Sequence, residues 1–534
     1  DGAKVNFSSS TTFENAIALP KIQNKYGLTP NTNPSTDYVD SWGDNGTYNP
    51  SPAKDFFKTG TNYINSISIS DGNDKGSFFI SYANTKANGI VPENKLSKHN
   101  ANLRGSTKLL NNKLTLDGSF KLISQTIENR PNGGYYFNPL IGLYLFPTGR
   151  NFAAYDKDHY ETYDIYGVPQ QNWLTNIPND GYSSQNPYWI INRNPNSLKR
   201  NRMISAFSAQ YAITDWFKLQ GRINYDHTAD DYEQKIYATS DPIFTSKNGE
   251  YTKNTFEYNQ VYADFIASIN KNLGESVSLQ AAIGTSGTKN VNATTSQSSY
   301  LAANPGSFLN PFTILRSGMY YPNYFSADNL KPGFYHGEST NQQLSQAVFA
   351  TATIGIKNMI FLDVTGRNEW SSTLPNPRKN PFFYPSVGLS YVLTESVKPN
   401  AVLSFAKLRG TYAQVGNALP FGVANPNPPF SVKPDGVINP TLAKPLGELV
   451  PERTSSFEFG FDARFFKDHF TLNYTYYKSL TKDQLFTIIA PPGAGTQLYY
   501  VNGGDISNRG FELNASYRTS VINGFSWETG INSS

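Results

Sequence analysis

From Lys113 to Leu122 the chain reads KLTLDGSFKL, an alternation that constrains the fold more than any other feature. Leu114, Leu116, Gly118, Phe120 and Leu122 fall on one face, and Lys113, Thr115, Asp117, Ser119 and Lys121 on the other. Successive side chains of a strand point to opposite sides, so such a segment has one apolar and one polar surface. The segment before it mirrors the pattern: Ala101, Leu103, Gly105, Thr107 and Leu109 oppose Asn100, Asn102, Arg104, Ser106 and Lys108. Only Leu110, Asn111 and Asn112 separate the two, which predicts a tight hairpin. The alternation returns in FKLQGRINYD from Phe217, FEFGFDARF from Phe457, FTLNYTYYK from Phe470 and FELNASYR from Phe511.

Two architectures use such strands: a soluble sandwich, or a barrel with lipid outside and water inside. Strand length and loop asymmetry favour the barrel. Many strands run to about 10 residues or more, the length that crosses a bilayer at a tilt, against about 5–6 in soluble sheets. Short connections near Asp71–Lys75, Asn111–Asn112, Thr214–Asp215, Asn272–Gly274, Asn358 and Lys467–Asp468 alternate with long ones near residues 16–60, 127–200, 290–340, 416–451 and 481–505. Short turns on one side and long loops on the other mark outer-membrane barrels. A propeller would repeat a motif every 40–50 residues or so, and no such repeat is present.

Composition agrees. Mean hydropathy is −0.48 and the longest apolar stretch, Leu140 to Phe146, is interrupted by Gly142; a membrane helix needs roughly 20 apolar residues. Charged residues make up 16%, against about 25% in ordinary soluble domains, while 35 Tyr and 35 Phe accompany 41 Gly and 33 Pro. Strand formers and turn formers are both in excess. The absence of cysteine excludes disulfides, Cys-ligated metals and thiol nucleophiles. A net charge of +4 with no dense basic stripe gives no warrant for nucleic acid. Counting up and down gives about 17 strands, an odd number that cannot close a barrel of the usual even kind. A strand from Phe525 is still under way at Ser534, so the sequence reads as an incomplete barrel of one domain over residues 1–534.

Several blocks resemble the SusC/RagA-like branch of TonB-dependent outer-membrane transporters. They begin with FFKTG (Phe56 to Gly60), SISISDGNDKGSFFISY (Ser66 to Tyr82) and NGIVPENKLSKHNANLRGSTKL (Asn88 to Leu109). NPYW (Asn186 to Trp189), FYPSVGLSYVLTE (Phe383 to Glu395) and KLRGTYAQVGN (Lys407 to Asn417) follow. Then come PERTSSFEFGFDARFF, LNYTYYKSLTKDQLF and YVNGGDISNRGFELNAS, in the family's order and spacing. The resemblance implies a 22-stranded barrel whose lumen a separate plug domain fills. It also implies a plug segment that binds TonB, a SusD-like lipoprotein over the extracellular mouth, and oligosaccharide or peptide cargo. It places the protein in the outer membrane of a Gram-negative bacterium, in contact with lipid, with Bacteroidota as the expected source. Plug, TonB-contact segment and closing strands have no counterpart in these residues, so nothing of them is carried over.

Enzyme chemistry finds no support. His99, His159, His227, His336 and His469 lack metal-ligand spacing and any HExxH pattern. Asp156, Asp158 and Glu161 suggest a calcium loop, but the turn Gly and a further oxygen ligand are missing. Asp230, Asp231 and Glu233 read as ordinary surface charge at a strand end. Gly284 to Lys289 (GTSGTK) lacks the spacing of a phosphate-binding loop, and no GxSxG elbow occurs. No cofactor is expected. Strand aromatics such as Phe457, Phe459, Phe461, Phe470 and Tyr474 are expected to face lipid. Tyr135, Tyr136, Phe137, Trp173, Tyr188, Trp189, Tyr320, Tyr321 and Tyr324 instead lie in Asn-, Pro- and Gly-rich loops. These rings either pack the loops against one another or form a ligand platform, flat faces suiting sugars and peptide side chains alike. The competing functional readings are a passive porin or structural outer-membrane barrel and, more remotely, an outer-membrane enzyme.

Overall fold

The computed structural model describes residues 2–30, 41–48, 52–134, 136–165, 167–174, 185–240, 248–301, 323–326, 330, 335–375, 381–424, 430–432, 438–440, 443–519 and 524–534. Seventeen strands form one sheet. They are β1 (Lys4–Glu14), β2 (Gly60–Asn73), β3 (Gly76–Asn88), β4 (Lys95–Leu109), β5 (Leu114–Glu128) and β6 (Asn196–Ala212). Next come β7 (Phe217–Ile236), β8 (Glu250–Leu273), β9 (Val277–Tyr300), β10 (Tyr335–Ile356), β11 (Ile360–Ser371) and β12 (Phe382–Val392). The last five are β13 (Leu403–Asn417), β14 (Glu452–Phe465), β15 (Phe470–Lys482), β16 (Ile506–Arg518) and β17 (Glu528–Ser533). Each pairs antiparallel with the next, giving an unbroken meander. Among the described residues β1 and β17 do not pair with each other, so the barrel is open.

Register carries the alternation from strand to strand. Phe120 stands opposite Leu103, and Leu103 opposite Ile80. Gly118 stands opposite Phe207, Phe207 opposite Ile223, and Gly221 opposite Phe265. Followed round the sheet, one face carries Ile67, Ile80, Leu103, Phe120, Phe207, Ile223, Phe265, Ile283, Val348, Val364, Leu389, Tyr412, Phe459 and Phe511. All are exposed, up to 59% for Ile283. A row of exposed large apolar side chains is intolerable in water and is what a lipid-facing belt requires. The other face carries Asn102, Arg104, Asp117, Lys121, Arg222 and Asn224, which line a recess on the concave side of the sheet. Leu114 and Leu116 share the belt's face and are half-buried near the turn.

The short turns use an uncommon backbone. Leu110, Asn111 and Asn112 all have positive φ (51°, 53° and 68°), and so do Phe466, Lys467 and Asp468. Side chains with a Cβ disfavour this left-handed region, Asn and Asp least. Asn111→Val, a β-branched residue in such a position, should destabilise the hairpin by about 1–2 kcal/mol, read as a lower urea midpoint for folding into vesicles.

On the opposite side lie the long connections. Strand ends set them at 15–59, 129–195, 237–249, 301–334, 372–381, 418–451 and 483–505, with a short one at 89–94. β9 runs on to Tyr300 and β10 starts at Tyr335, so more of the 290–340 stretch is strand than the sequence implied. β8 and β9 each have 24 residues. At a bilayer tilt they reach roughly 55–60 Å against a hydrocarbon core of about 30 Å, so the wall projects well beyond the membrane on the long-loop side. Bacterial barrels carry that side outward.

Candidate functional site

The polar face carries ion pairs, most of them set between neighbouring strands and one, Arg367–Glu369, along β11 itself. Arg222 on β7 donates from Nε and Nη2 to both carboxylate oxygens of Asp264 on β8, which also accepts a 2.6 Å bond from Tyr262 Oη. Arg202 and Arg200 on β6 each make a two-pronged pair, with Asp226 and Asp230 on β7. Further round, Arg367 pairs with Glu369, and Arg409 with Asp462 at 3.5 Å while donating to Thr475 Oγ1. These pairs sit on alternate residues, so the same periodicity that makes the lipid belt makes a water-facing wall.

Above it, the described residues of the connection 129–195 pack into a lobe. Helices α1 (Ala53–Phe56), α2 (Pro139–Tyr144) and α3 (Pro187–Arg193) bring Phe56, Leu143, Tyr188 and Ile191 into one cluster. Asn138 and Asn186 cap α2 and α3, each followed by a Pro suited to the first helical turn. Asn186 is fully buried and also donates to Tyr155 O and Asn172 O, tying three stretches of loop together. A second cluster packs Phe146, Trp173 and Leu174 with Phe152 and Tyr155. Trp189 is fully buried; its Nε1 donates to Ser240 Oγ at 2.8 Å, and Ser240 donates to Asn194. Tyr237, Phe325 and Tyr251 form a ring contact chain running onto β8. A separate cluster of Leu374, Phe382, Leu419, Val423 and Leu449 joins the other loops. It lies beside a three-stranded sheet of Ala443–Pro445, Leu498–Asn502 and Leu485–Ile489.

Arg193 makes a two-pronged ion pair within the lobe. Its guanidinium donates to both oxygens of Glu161 (2.7 and 2.9 Å) and stacks over Tyr237 at 5.2 Å. The paired guanidinium holds the Glu161 carboxyl below its ordinary 4.5, against the opposing effect of burial. A lowered folded-state pKa stabilises above the ordinary value and is lost as pH falls through the folded one. Acidification below about 4.5 should therefore loosen the lobe before the barrel. Glu161→Gln should abolish that acid step and cost about 1–3 kcal/mol locally at neutral pH, both read by hydrogen exchange over residues 152–174.

The loop aromatics divide by position. Trp173, Tyr188 and Trp189 are buried inside the lobe, where they touch one another's neighbours rather than solvent. Tyr136 and Tyr324 are exposed, Phe137 is half-buried beside Pro139 and Ile190, and Tyr135, Tyr320 and Tyr321 lie outside the described residues. The acidic residues of the suspected calcium loop scatter: Asp156 accepts from the backbone of Asp158 and meets His159, Asp158 pairs with Lys157, and Glu161 with Arg193. Asp230 faces the lumen in its pair with Arg200, while Glu233 accepts from Tyr251. His99 and His227 lie on the lipid-side face, each beside a Tyr and an Asn (Tyr82 and Asn84; Tyr225 and Asn259). Among the described residues no His, Asp or Glu cluster could hold a metal ion. Sequence reasoning missed the lumenal arginines, although extending the alternation through β6 and β7 would have exposed them.

A belt of apolar side chains outside, a polar charged wall inside, short turns below and packed loops above define an outer-membrane β-barrel. Residues 136–534 match the family described as TonB dependent receptor-like, beta-barrel. The chain belongs to that family, whose members are outer-membrane receptors and not enzymes. It is 21% identical over 489 residues to TonB-dependent receptor P3 of Formosa agariphila, covering 90% of this chain and 46% of that protein. A 155-residue stretch is 27% identical to receptor P39 of the same organism, 28% of this chain and 15% of that one. The chain thus spans about half the length of the first of these curated relatives, and less of the second. Among solved structures it is similar to the RagAB peptide importer in its open-open state. There the TM-score is 0.74 at 15% identity, covering all of this chain and 60% of that one. A further RagAB peptide transporter structure gives 0.70 at 16%, over 90% and 51%. The resemblance to the SusC/RagA-like branch, and to Bacteroidota proteins, therefore holds.

Proposed function

We propose that this barrel is the wall of a TonB-dependent nutrient importer that takes up oligosaccharides or peptides together with a SusD-like lipoprotein seated on its extracellular mouth. The observation that carries the reading is the pairing of a charged lumenal wall with a preorganised loop lobe on the outward side. A passive pore has no use for packed loops that hold fully buried Asn186 and Trp189 above the membrane. The likeness to RagAB supports it, since those structures are described as a peptide importer. In this reading Tyr135, Tyr136, Tyr320, Tyr321 and Tyr324 are contact residues for cargo or partner, and Trp173, Tyr188 and Trp189 hold the platform that presents them. TonB acts through a plug domain, and cargo is held between barrel and lipoprotein.

The test is uptake by cells carrying the full-length receptor, with and without the proton-motive force that TonB needs. Energised uptake that stops with an uncoupler is the expected result; uptake indifferent to it is the porin's behaviour and overturns the proposal. Deleting residues 302–322 should abolish uptake or partner capture while leaving insertion into the membrane intact. Retention of both would remove that loop from the site.

A further inference from the structure

We propose that the lumenal face of β4 to β7 is a cationic track that guides carboxylate-bearing oligomers through the barrel. The proposal rests on the importer reading and deepens it by naming the charge of the cargo. Five successive inward-facing rows of the sheet each carry a cation. Lys98 and Arg200 share the outermost row with Gln125 between them, and Arg202 occupies the next, beside Ile123. Lys121 follows beside Asn102 and Ile204, then Arg104 beside Ser119, then Arg222 beside Ser208. Rows two residues apart lie about 6.8 Å from one another along the strand. Neighbouring strands lie about 4.8 Å apart, so Arg200, Arg202, Lys121 and Arg104 each stand about 7–8 Å from the next along the backbone. That is close to the Debye length of about 8 Å at physiological salt, while Arg222 stands three strands beyond Arg104.

The acids on this wall pair with three of the cations and leave the other three as its net positive charge. Asp230, Asp226 and Asp264 have side chains 13%, 18% and 0% exposed, while their partners Arg200, Arg202 and Arg222 are 43%, 40% and 42% exposed. Each pair has no net charge, but its guanidinium is the more exposed member and keeps N–H donors beyond the Nε and Nη2 groups that the carboxylate takes. Among the described residues Lys98, Arg104 and Lys121 make no ion pair. Asp117 stands in the innermost row, beside the recess that Arg104, Lys121 and Arg222 line. A run of basic side chains along a pore wall selects for anions by replacing part of their hydration with fixed donors, and Arg suits carboxylates in particular. Two sources supply that chemistry, an acidic peptide and an acidic oligosaccharide.

The experiment measures equilibrium binding of labelled hexaglutamate and hexagalacturonate to the purified full-length receptor. Hexaglutamine and cellohexaose serve as their neutral counterparts. At least one acidic probe should bind about tenfold tighter than its neutral counterpart, with affinity falling as salt rises; whichever probe binds tighter identifies the source. The triple variant Lys98→Gln, Arg104→Gln, Lys121→Gln should erase that preference. Lys98→Arg with Lys121→Arg should keep it, and Lys98→Gln alone, which should weaken it measurably, decides the matter if the triple variant fails to fold. Equal binding of acidic and neutral probes overturns the track. So does a triple variant that melts earlier but binds unchanged, because the strip would then dock another part of the same protein. Either outcome leaves the uncoupler test of import standing, and failure of that test leaves the binding result standing.

Discussion

Phe120→Arg should lower the folding free energy of the barrel by about 2–4 kcal/mol, whereas Asp117→Asn, three residues away, should change it little. Phe120 is on the lipid-side face with Leu103 opposite it, at the centre of the β5 belt between Leu116 and Leu122. A guanidinium there must either shed its water in hydrocarbon or drag the strand toward an interface, and both cost free energy. Asp117 lines the recess on the other face, where water solvates acid and amide alike. The contrast reads out the register itself, because a one-residue slip would exchange the two environments. Urea titration of the full-length protein in vesicles, followed by the gel shift of folded barrels, measures it. Equal effects of the two substitutions would mean that the assigned faces are wrong.

The faces were legible in the sequence because alternation is a local signal that register preserves. KLTLDGSFKL already sorts Phe120 from Asp117, and sheet geometry only adds that Leu103 and Phe207 continue the same belt. The strand count was legible for the same reason, since each reversal is marked by Asn, Asp or Gly. Less could be read where structure depends on contacts distant in sequence. Nothing in NPYW says that Trp189 will donate to Ser240, 51 residues on, or that Asn186 will bind the backbone of Tyr155. The sequence marks those aromatics as loop residues, which suggests surface, yet the 129–195 connection is long enough to bury a core of its own. Arg200 and Arg202 illustrate the intermediate case. Their spacing places both inward, but their pairing with Asp230 and Asp226 needs the β6–β7 register.

Trp189→Ala is expected to unfold the extracellular lobe without unfolding the barrel. The indole is fully buried, meets Tyr237 edge-on and satisfies Ser240, which in turn donates to Asn194. Truncation removes a large buried side chain, a loss of about 3–5 kcal/mol at such sites, and breaks the relay at its donor end. The lobe's own clusters are small, five buried residues around Phe56 and three around Phe146. A loss of that size therefore exceeds what a unit this small is expected to hold in reserve. Trp189→Phe retains most of the apolar volume and loses only the hydrogen bond, so it should cost about 1–2 kcal/mol and leave the lobe folded. Hydrogen exchange over residues 152–174 should rise sharply in the Ala variant and little in the Phe variant, while protection in β8 and β9 stays unchanged. Under the importer proposal, capture of the proposed lipoprotein and cargo should follow the exchange result, lost in the first variant and kept in the second. If the Ala variant kept its lobe protected, the buried ring would be incidental to the mouth. If it lost protection but kept capture, the lobe would be stable architecture with no part in recognition.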